Sequence, residues 1–123
     1  MNKIALVAII FFVLCNTAIS SNWIKFAEDD GTKFYYDEDS LQCFTLVDRM
    51  SGRTLGHEAH VWIKTVTTFV EPPHEDMETW SIDCSKRKLD KKGGDYPDYS
   101  GVRIKPGSIE EELYNKLCPI CLK

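Results

Sequence analysis

The sequence predicts an α+β fold: a single antiparallel β-sheet of five or six strands, with one C-terminal α-helix packed on it and tied by a disulfide. Short segments rich in aromatic and β-branched residues alternate with turn-forming residues over most of the chain, as in an antiparallel sheet. One helical repeat of apolar residues follows them. Four cysteines lie beyond residue 20, and an even number in an exported chain suggests disulfides.

The first half of the sheet is predicted from four segments. Residues 23–28 (WIKFAE) and 33–37 (KFYYD) flank a glycine-containing turn and predict a β-hairpin. Residues 40–48 (SLQCFTLVD) predict a third strand, and turn formers at residues 49–56 predict a loop after it. Residues 57–70 (HEAHVWIKTVTTFV) are rich in β-branched and aromatic side chains and therefore predict a long strand.

The second half of the sheet begins after a Pro-Pro pair, which cannot lie in a central strand. In residues 77–89 (METWSIDCSKRKL) the side chains alternate, so we expect Trp80 and Cys84 to face the core. Residues 91–101 predict a long loop, and residues 102–105 (VRIK) predict a short last strand.

Residues 106–123 (PGSIEEELYNKLCPICLK) predict the helix. Ser108 is a favourable N-cap, and Glu111 three residues later completes a capping box. The apolar residues fall within about half of a helical wheel, which predicts a helix with one buried side. These residues are Ile109, Leu113, Tyr114, Leu117 and Cys118. We expect Pro119 to end the helix.

The first 20 residues have the layout of a secretory signal peptide. Lys3 precedes eleven consecutive apolar residues, 4–14, and small residues at the end of the segment suit cleavage after Ser20. The apolar run falls short of the roughly 20 residues that span a bilayer, so we expect no transmembrane anchor in the mature chain. Cys15 raises the alternative of a lipoprotein, but Leu14 is too large for a lipobox. We therefore expect export to the periplasm, the outer surface or the medium.

Residues 21–123 suit a single domain. They carry 14 of the 15 basic residues, since Lys3 lies in the leader, and all 19 acidic residues, so their net charge is −5. Phosphate binding needs a basic surface, so we expect no nucleic acid partner. The basic residues between 86 and 92 and the acidic residues between 71 and 78 are both predicted to be solvated surface.

The cysteines permit three kinds of chemistry. Cys118 and Cys121 form a C-x-x-C, the spacing of thioredoxin-type redox sites, but they lie at a helix C-terminus, where the dipole destabilises a thiolate. Zinc could use the same pair with His57 and His60, but these histidines would project to opposite faces of a strand. Structural disulfides are favoured over both, and we expect neither a metal nor a cofactor.

Cys43, Cys84, Cys118 and Cys121 allow three disulfide pairings. In the chain-entropy model a Cys84–Cys118 bridge contributes about 3 to 4 kcal/mol, and a Cys118–Cys121 bridge contributes about 2 kcal/mol before strain. Long bridges are favoured, and Cys84 on the core face of a strand would meet Cys118 on the apolar side of the helix if that helix packs there.

The order of motifs along the chain resembles the surface-adhesin protein E-like family of small exported bacterial domains. The motifs that carry the resemblance are Trp23, Asp30-Gly31-Thr32, Tyr35-Tyr36-Asp37, Ser40, Val61-Trp62, Trp80-Ser81-Ile82-Asp83-Cys84, and Ile104-Lys105-Pro106-Gly107-Ser108 leading to Leu113 and Cys118. The resemblance covers residues 23–118.

This resemblance implies an antiparallel sheet with a C-terminal helix held by the bridge Cys84–Cys118, a place in the bacterial envelope or surface, and adhesion to host proteins. No catalytic residues are carried over from the family. Cys43 and Cys121 are additional to the family pattern, and by elimination they form the second bridge.

We therefore expect a non-catalytic, protein-binding domain. The alternative is a structural or assembly role in the cell envelope without a host ligand. Tyrosine is favoured at protein interfaces, and loops on a braced scaffold commonly carry recognition. Tyr96 and Tyr99, within the DYPDYSG stretch, are therefore the candidate residues for contact with a protein ligand.

Overall fold

The computed structural model describes residues 21–94 and 97–122, so the predicted signal peptide lies outside the described residues. Within these ranges, one antiparallel sheet of seven strands lies against one α-helix. The elements are β1 (Trp23–Asp29), β2 (Thr32–Asp37), a 3₁₀ helix (Glu38–Ser40), β3 (Gln42–Val47), β4 (Thr54–Thr67), β5 (His74–Asp83), β6 (Lys88–Gly93), β7 (Tyr99–Arg103) and α1 (Ile109–Cys121). The predicted fold class is confirmed, with seven strands where five or six were expected.

The sheet is organised around β4. Its order is β1-β2-β4-β5-β6-β7, and β3 pairs with the part of β4 that β2 leaves free. Residues 54–60 of β4 pair with β3, and residues 63–67 pair with β2. At 14 residues, β4 is long enough to hold two neighbours along one edge.

One face of the sheet carries α1 and the core. Alternate side chains in the middle of β4 and at the end of β5 are buried there, and α1 adds its own apolar side. The largest fully buried side chains are Trp80, Ile63, Ile82, Leu113, Leu117, Val61 and Cys118. Burial of an aliphatic side chain of this size stabilises a fold by about 1.5 to 3 kcal/mol. The predicted inward orientation of Trp80 and Cys84 is confirmed, since both are buried.

The start of α1 agrees with the prediction. The Ser108 hydroxyl accepts a 3.2 Å hydrogen bond from the Glu111 amide, which makes Ser108 the N-cap. The Glu111 carboxylate accepts a 3.1 Å hydrogen bond from the Gly107 amide, one residue before the position that a capping box uses. Two amides at the helix start thus have side-chain partners.

The end of α1 differs from the prediction that Pro119 stops the helix. The helix continues to Cys121, and the Leu122 amide donates a 2.9 Å hydrogen bond to the Cys118 carbonyl at its end. Proline removes one backbone donor, but Pro119 lies between two cysteines that are bonded to the sheet. These tethers hold the last turn in the helical conformation.

Both predicted disulfides form, and both join α1 to the sheet. Cys118 bonds to Cys84, which directly follows β5, and Cys121 bonds to Cys43 on β3. The bridges close segments of 34 and 78 residues, respectively. The helix C-terminus is therefore fixed at two points that are far apart in sequence.

Both predicted long loops are shorter in the structure. β4 begins at Thr54, so the loop after β3 covers residues 48–53. β6 extends to Gly93 and β7 begins at Tyr99, inside the segment that was predicted to be a loop. Strands near the sheet edge bury few side chains, so their composition is polar and their strand pattern is weak.

Candidate functional site

Of the two tyrosines predicted to contact a ligand, the structure describes one. Tyr96 lies outside the described residues. Tyr99 begins β7, faces Lys91 across the β6–β7 pairing, and leaves 50% of its surface exposed. It therefore stands on the sheet next to α1, where a partner could reach its ring.

Lys91 joins Tyr99 to the core and to the helix. Its ammonium group donates a 2.9 Å hydrogen bond to the Glu110 carboxylate in the first turn of α1. The same group lies 4.3 Å from the centre of the Trp80 ring and 5.9 Å from that of Tyr99, within the range of cation–π attraction. Lys91 thus fixes the position of the Tyr99 side of the sheet relative to α1.

The pKa of Glu110 reflects this arrangement. Partial burial acts to raise the pKa, but the hydrogen bond from Lys91, a backbone hydrogen bond, the charge of Lys91 and the Ser108 hydroxyl together outweigh it. The pKa of Glu110 is therefore lowered from its ordinary value of 4.5. The carboxylate is held ionised as the partner of Lys91.

On one side of Tyr99 lies a cleft of about 560 Å³, which we call the acidic cleft. Asp76 and Glu78 supply its carboxylates, and Phe69 and Val70 supply exposed apolar surface. Glu78 also accepts a 2.6 Å hydrogen bond from the indole of Trp80, which orients its side chain. The cleft therefore combines fixed negative charge with apolar walls.

The backbone of Gly94 lies close to the carboxylates of the acidic cleft. Gly94 has a φ of +78°, and a Cβ placed there would lie 2.8 Å from an Asp76 carboxylate oxygen and 3.3 Å from one of Glu78. Only glycine takes this conformation without strain and without displacing a carboxylate. The shape of this end of the cleft thus depends on the absence of a side chain at Gly94.

On the other side of Tyr99 lies a cleft of about 350 Å³, which we call the basic cleft. Leu89 and Val102 give it apolar surface, and Lys105 gives it positive charge. Arg103 adds positive charge at its rim, since its side chain projects to the opposite face of β7 from Val102. Lys91 and Tyr99 line both clefts. We refer to the two clefts together as the Tyr99 groove: an aromatic side chain between a negative and a positive recess.

No helix of the described residues packs on the opposite face of the sheet, which presents a second apolar surface. Phe44, Trp62 and Met77 are exposed there, Trp62 by 47% of its surface. Nearby, the Lys64 ammonium lies 4.8 Å from the ring centre of Trp23 and 5.2 Å from that of Tyr35. We call this surface, defined by Phe44, Trp62 and Met77, the outer face.

The residues considered for zinc and redox chemistry do not converge. Cys118 and Cys121 are each bonded to a distant cysteine rather than to each other. His57 lies 3.4 Å from the Thr45 hydroxyl, whereas His60 pairs with Glu58 at 3.0 Å. Among residues 21–94 and 97–122, no group of three or more potential ligand side chains is placed to hold a metal ion.

Several groove residues were not predicted. Asp76 and Glu78 were expected to be solvated, yet both are half-buried on the helix-bearing face. The alternation of β5 contains this signal, since both share the parity of buried Trp80. No local sequence pattern marks Arg103 and Lys105 as site residues. Their position beside the basic run near residue 88 depends on the β6–β7 pairing.

Within the part of the chain that the structure describes, neither helix has the length and apolar character needed to cross a bilayer. Comparisons with known protein families, curated proteins and solved structures found no match to this chain.

Proposed function

We propose that this chain is an exported, non-catalytic domain with an adhesin-like role, which binds a protein ligand in the Tyr99 groove. The observation that carries the proposal is the position of Tyr99, half-exposed between recesses of opposite charge. Tyrosine is enriched among the residues that dominate binding at protein interfaces. The two disulfides are compatible with an exported protein and brace the helix beside the groove.

The charges of the groove favour a protein ligand. Asp76 and Glu78 would repel a polyanion such as nucleic acid, while Arg103 and Lys105 would attract acidic groups. Protein surfaces carry both signs of charge together with apolar side chains, and complementary charge steers such encounters. A mixed groove with an aromatic centre suits this type of partner.

The hydrogen bonds of the groove favour binding over catalysis. Glu110 is held ionised by Lys91, and Glu78 is bonded to the Trp80 indole. General acid–base catalysis needs a group whose pKa lies near the working pH. The lowered pKa of Glu110 moves it away from that range.

The test is capture of a partner by the oxidised protein. Residues 21–123 are immobilised and exposed to envelope and extracellular protein fractions, and any retained protein is quantified for the wild type and for Tyr99→Ala, Tyr99→Phe and Trp62→Ala. We expect Tyr99→Ala to lower retention roughly tenfold, as for an interface hot spot, and Tyr99→Phe and Trp62→Ala to retain most of it. Equal retention by Tyr99→Ala would contradict the proposal.

The second candidate is an assembly role in the envelope, favoured by the outer face. Exposed apolar patches commonly mark a contact with another protein, and Phe44, Trp62 and Met77 supply such residues here. In the same capture experiment, loss of retention in Trp62→Ala with no loss in Tyr99→Ala would favour this function.

A further inference from the structure

A cluster of cations lies beside the groove, where the β5–β6 turn meets the end of β7. Lys86, Lys88, Arg103 and Lys105 belong to it, and among the described residues none of the four forms an ion pair. Three of them, with Arg87, line a cleft of about 370 Å³. These positive charges are concentrated on a domain whose net charge is −5.

The cluster includes a pairing that works against the stability of the sheet. Lys88 on β6 lies directly opposite Arg103 on β7, and like charges in this relation are destabilising. On the other side of Lys88, the residue that pairs with it is Asp83 of β5. The Asp83 carboxylate accepts 3.0 Å hydrogen bonds from the amides of Ser85 and Lys86. An anionic partner would relieve the repulsion between Lys88 and Arg103.

The backbone of β7 also offers hydrogen-bonding groups at the edge of the sheet. β7 is the last strand of the sheet, and no described strand pairs with its outer edge. The Ile104 amide donates to the Arg87 carbonyl at 3.0 Å. Because the bonding direction alternates along an antiparallel strand, the N–H and C=O of Arg103 point away from β6. The Gly101 amide is occupied by the Asp90 carboxylate.

We propose that an extended, acidic segment of a partner protein adds as a strand to the outer edge of β7. Strand addition uses main-chain hydrogen bonds for affinity and alternate side chains for specificity. Here the outward N–H and C=O of Arg103 supply the main-chain hydrogen bonds. The side chains of Lys88, Arg103 and Lys105 select acidic side chains on the incoming strand. This inference rests on the proposed function, because it identifies the chemistry of the protein ligand.

The register of β7 defines the segment further. Arg103 and Val102 project to opposite faces of the strand, and Val102 lines the basic cleft beside Tyr99. An incoming strand with alternating acidic and apolar residues would therefore meet cations on one face and Val102 on the other. A second copy of this chain is disfavoured as the occupant, since pairing two β7 edges would bring the Arg103 side chains of both copies together.

The test uses two synthetic, fluorescently labelled peptides of eight residues, one alternating Asp and Val and one alternating Lys and Val. Binding to the disulfide-bonded protein is followed by fluorescence anisotropy. We expect the Asp-Val peptide to bind and the Lys-Val peptide not to bind. Lys88→Glu combined with Lys105→Glu should weaken binding roughly tenfold or more, whereas Lys116→Glu, on the exposed side of α1, should leave it unchanged.

Two variants at position 103 separate the contribution of the backbone N–H to peptide binding from that of the side-chain charge. Arg103→Ala removes the charge alone, whereas Arg103→Pro also removes the outward N–H, and proline is tolerated on an edge strand at such a position. We expect Arg103→Pro to bind the Asp-Val peptide several-fold more weakly than Arg103→Ala. Circular dichroism and disulfide mapping establish that both variants fold.

Other outcomes overturn the inference. Equal binding by Arg103→Ala and Arg103→Pro, with dextran sulfate competing as well as the peptide, would indicate a general polyanion surface. Concentration-dependent dimerisation that Arg103→Pro abolishes would indicate a second copy as the occupant. If the Asp-Val peptide fails to bind while Tyr99→Ala still abolishes capture of a natural partner, the strand-addition inference fails and the proposed function stands.

Discussion

Lys91 of β6 donates a 2.9 Å hydrogen bond to Glu110 in the first turn of α1, and this pair joins the sheet to the helix beside Tyr99. Both side chains are largely shielded, with 21% and 29% of their surfaces exposed. An ion pair in this setting contributes more than one on the open surface. The pair therefore fixes one wall of the Tyr99 groove.

The first prediction concerns the pH dependence that this pair creates. Folding lowers the pKa of Glu110 below 4.5, so the folded state favours the ionised carboxylate. Its contribution to the free energy of unfolding is complete at pH values above the pKa of Glu110 in the unfolded chain. The contribution is lost as pH falls through the pKa of Glu110 in the folded protein. We expect Glu110→Gln to cost about 1 to 2 kcal/mol at pH 7 and progressively less below about pH 4.5.

Urea unfolding at pH 7 and at pH 3 measures this difference. Glu112→Gln, an exposed residue in the same turn of α1, is the control for loss of a negative charge near the helix N-terminus. A Glu110→Gln cost that is equal at both pH values would show that its charge has no role in stability.

The second prediction concerns the two disulfides. In the chain-entropy model, bridges that close 78 and 34 residues contribute about 4.5 and about 4 kcal/mol, respectively. We expect each double Cys→Ser replacement to destabilise the protein by about 2 to 5 kcal/mol. A non-reduced digest should yield peptides joined by Cys43–Cys121 and by Cys84–Cys118, and recovery of a Cys118–Cys121 bridge would contradict the structure.

The third prediction concerns the packing of α1. Leu113 is completely buried against the sheet, whereas Ile120 on the same helix is half-exposed. We expect Leu113→Ala to destabilise the protein by about 2 to 5 kcal/mol, because it leaves a cavity in the core. Ile120→Ala is the control and should cost less than about 1 kcal/mol. Similar costs in denaturant unfolding would indicate that α1 does not pack as described.

The fourth prediction separates backbone strain from the shape of the acidic cleft. Gly94 and Gly52 have φ values of +78° and +71°, but only a side chain at Gly94 would meet a neighbour, the Asp76 carboxylate. We expect Gly94→Ala and Gly52→Ala each to cost about 1 kcal/mol in stability, since both strain the backbone. Only Gly94→Ala should also weaken ligand binding, because the Asp76 side chain must move. Ligand binding that is unchanged in Gly94→Ala would place the ligand elsewhere.

The sequence was sufficient to predict the sheet, the helix and the inward direction of Trp80 and Cys84, because period-two and 3.6-residue repeats follow directly from burial. It was insufficient at Pro119, where tertiary tethers override the local preference of proline. It was also insufficient for β6, since Lys91 and its neighbours form a strand through pairing rather than through composition.

The groove illustrates a different limit. Tyr99 was selected as an aromatic residue in a presumed loop, and the structure places it on an edge strand. Its neighbours Arg103 and Glu78 come from strands on either side of β6, so their proximity depends on strand order. Strand order is a property of the whole fold, and no local pattern near Tyr99 encodes it.

Site-specific photo-crosslinking shows whether a protein binds in the Tyr99 groove. p-Benzoylphenylalanine is placed at position 99 or, in a second protein, at position 62 on the outer face, and each oxidised protein is irradiated in the envelope and extracellular fractions. We predict that one defined protein is joined to position 99 and that its crosslinked peptide is acidic and extended, while position 62 gives no such product. The same protein joined to position 62 and not to position 99 would show that the ligand binds the outer face and not the Tyr99 groove.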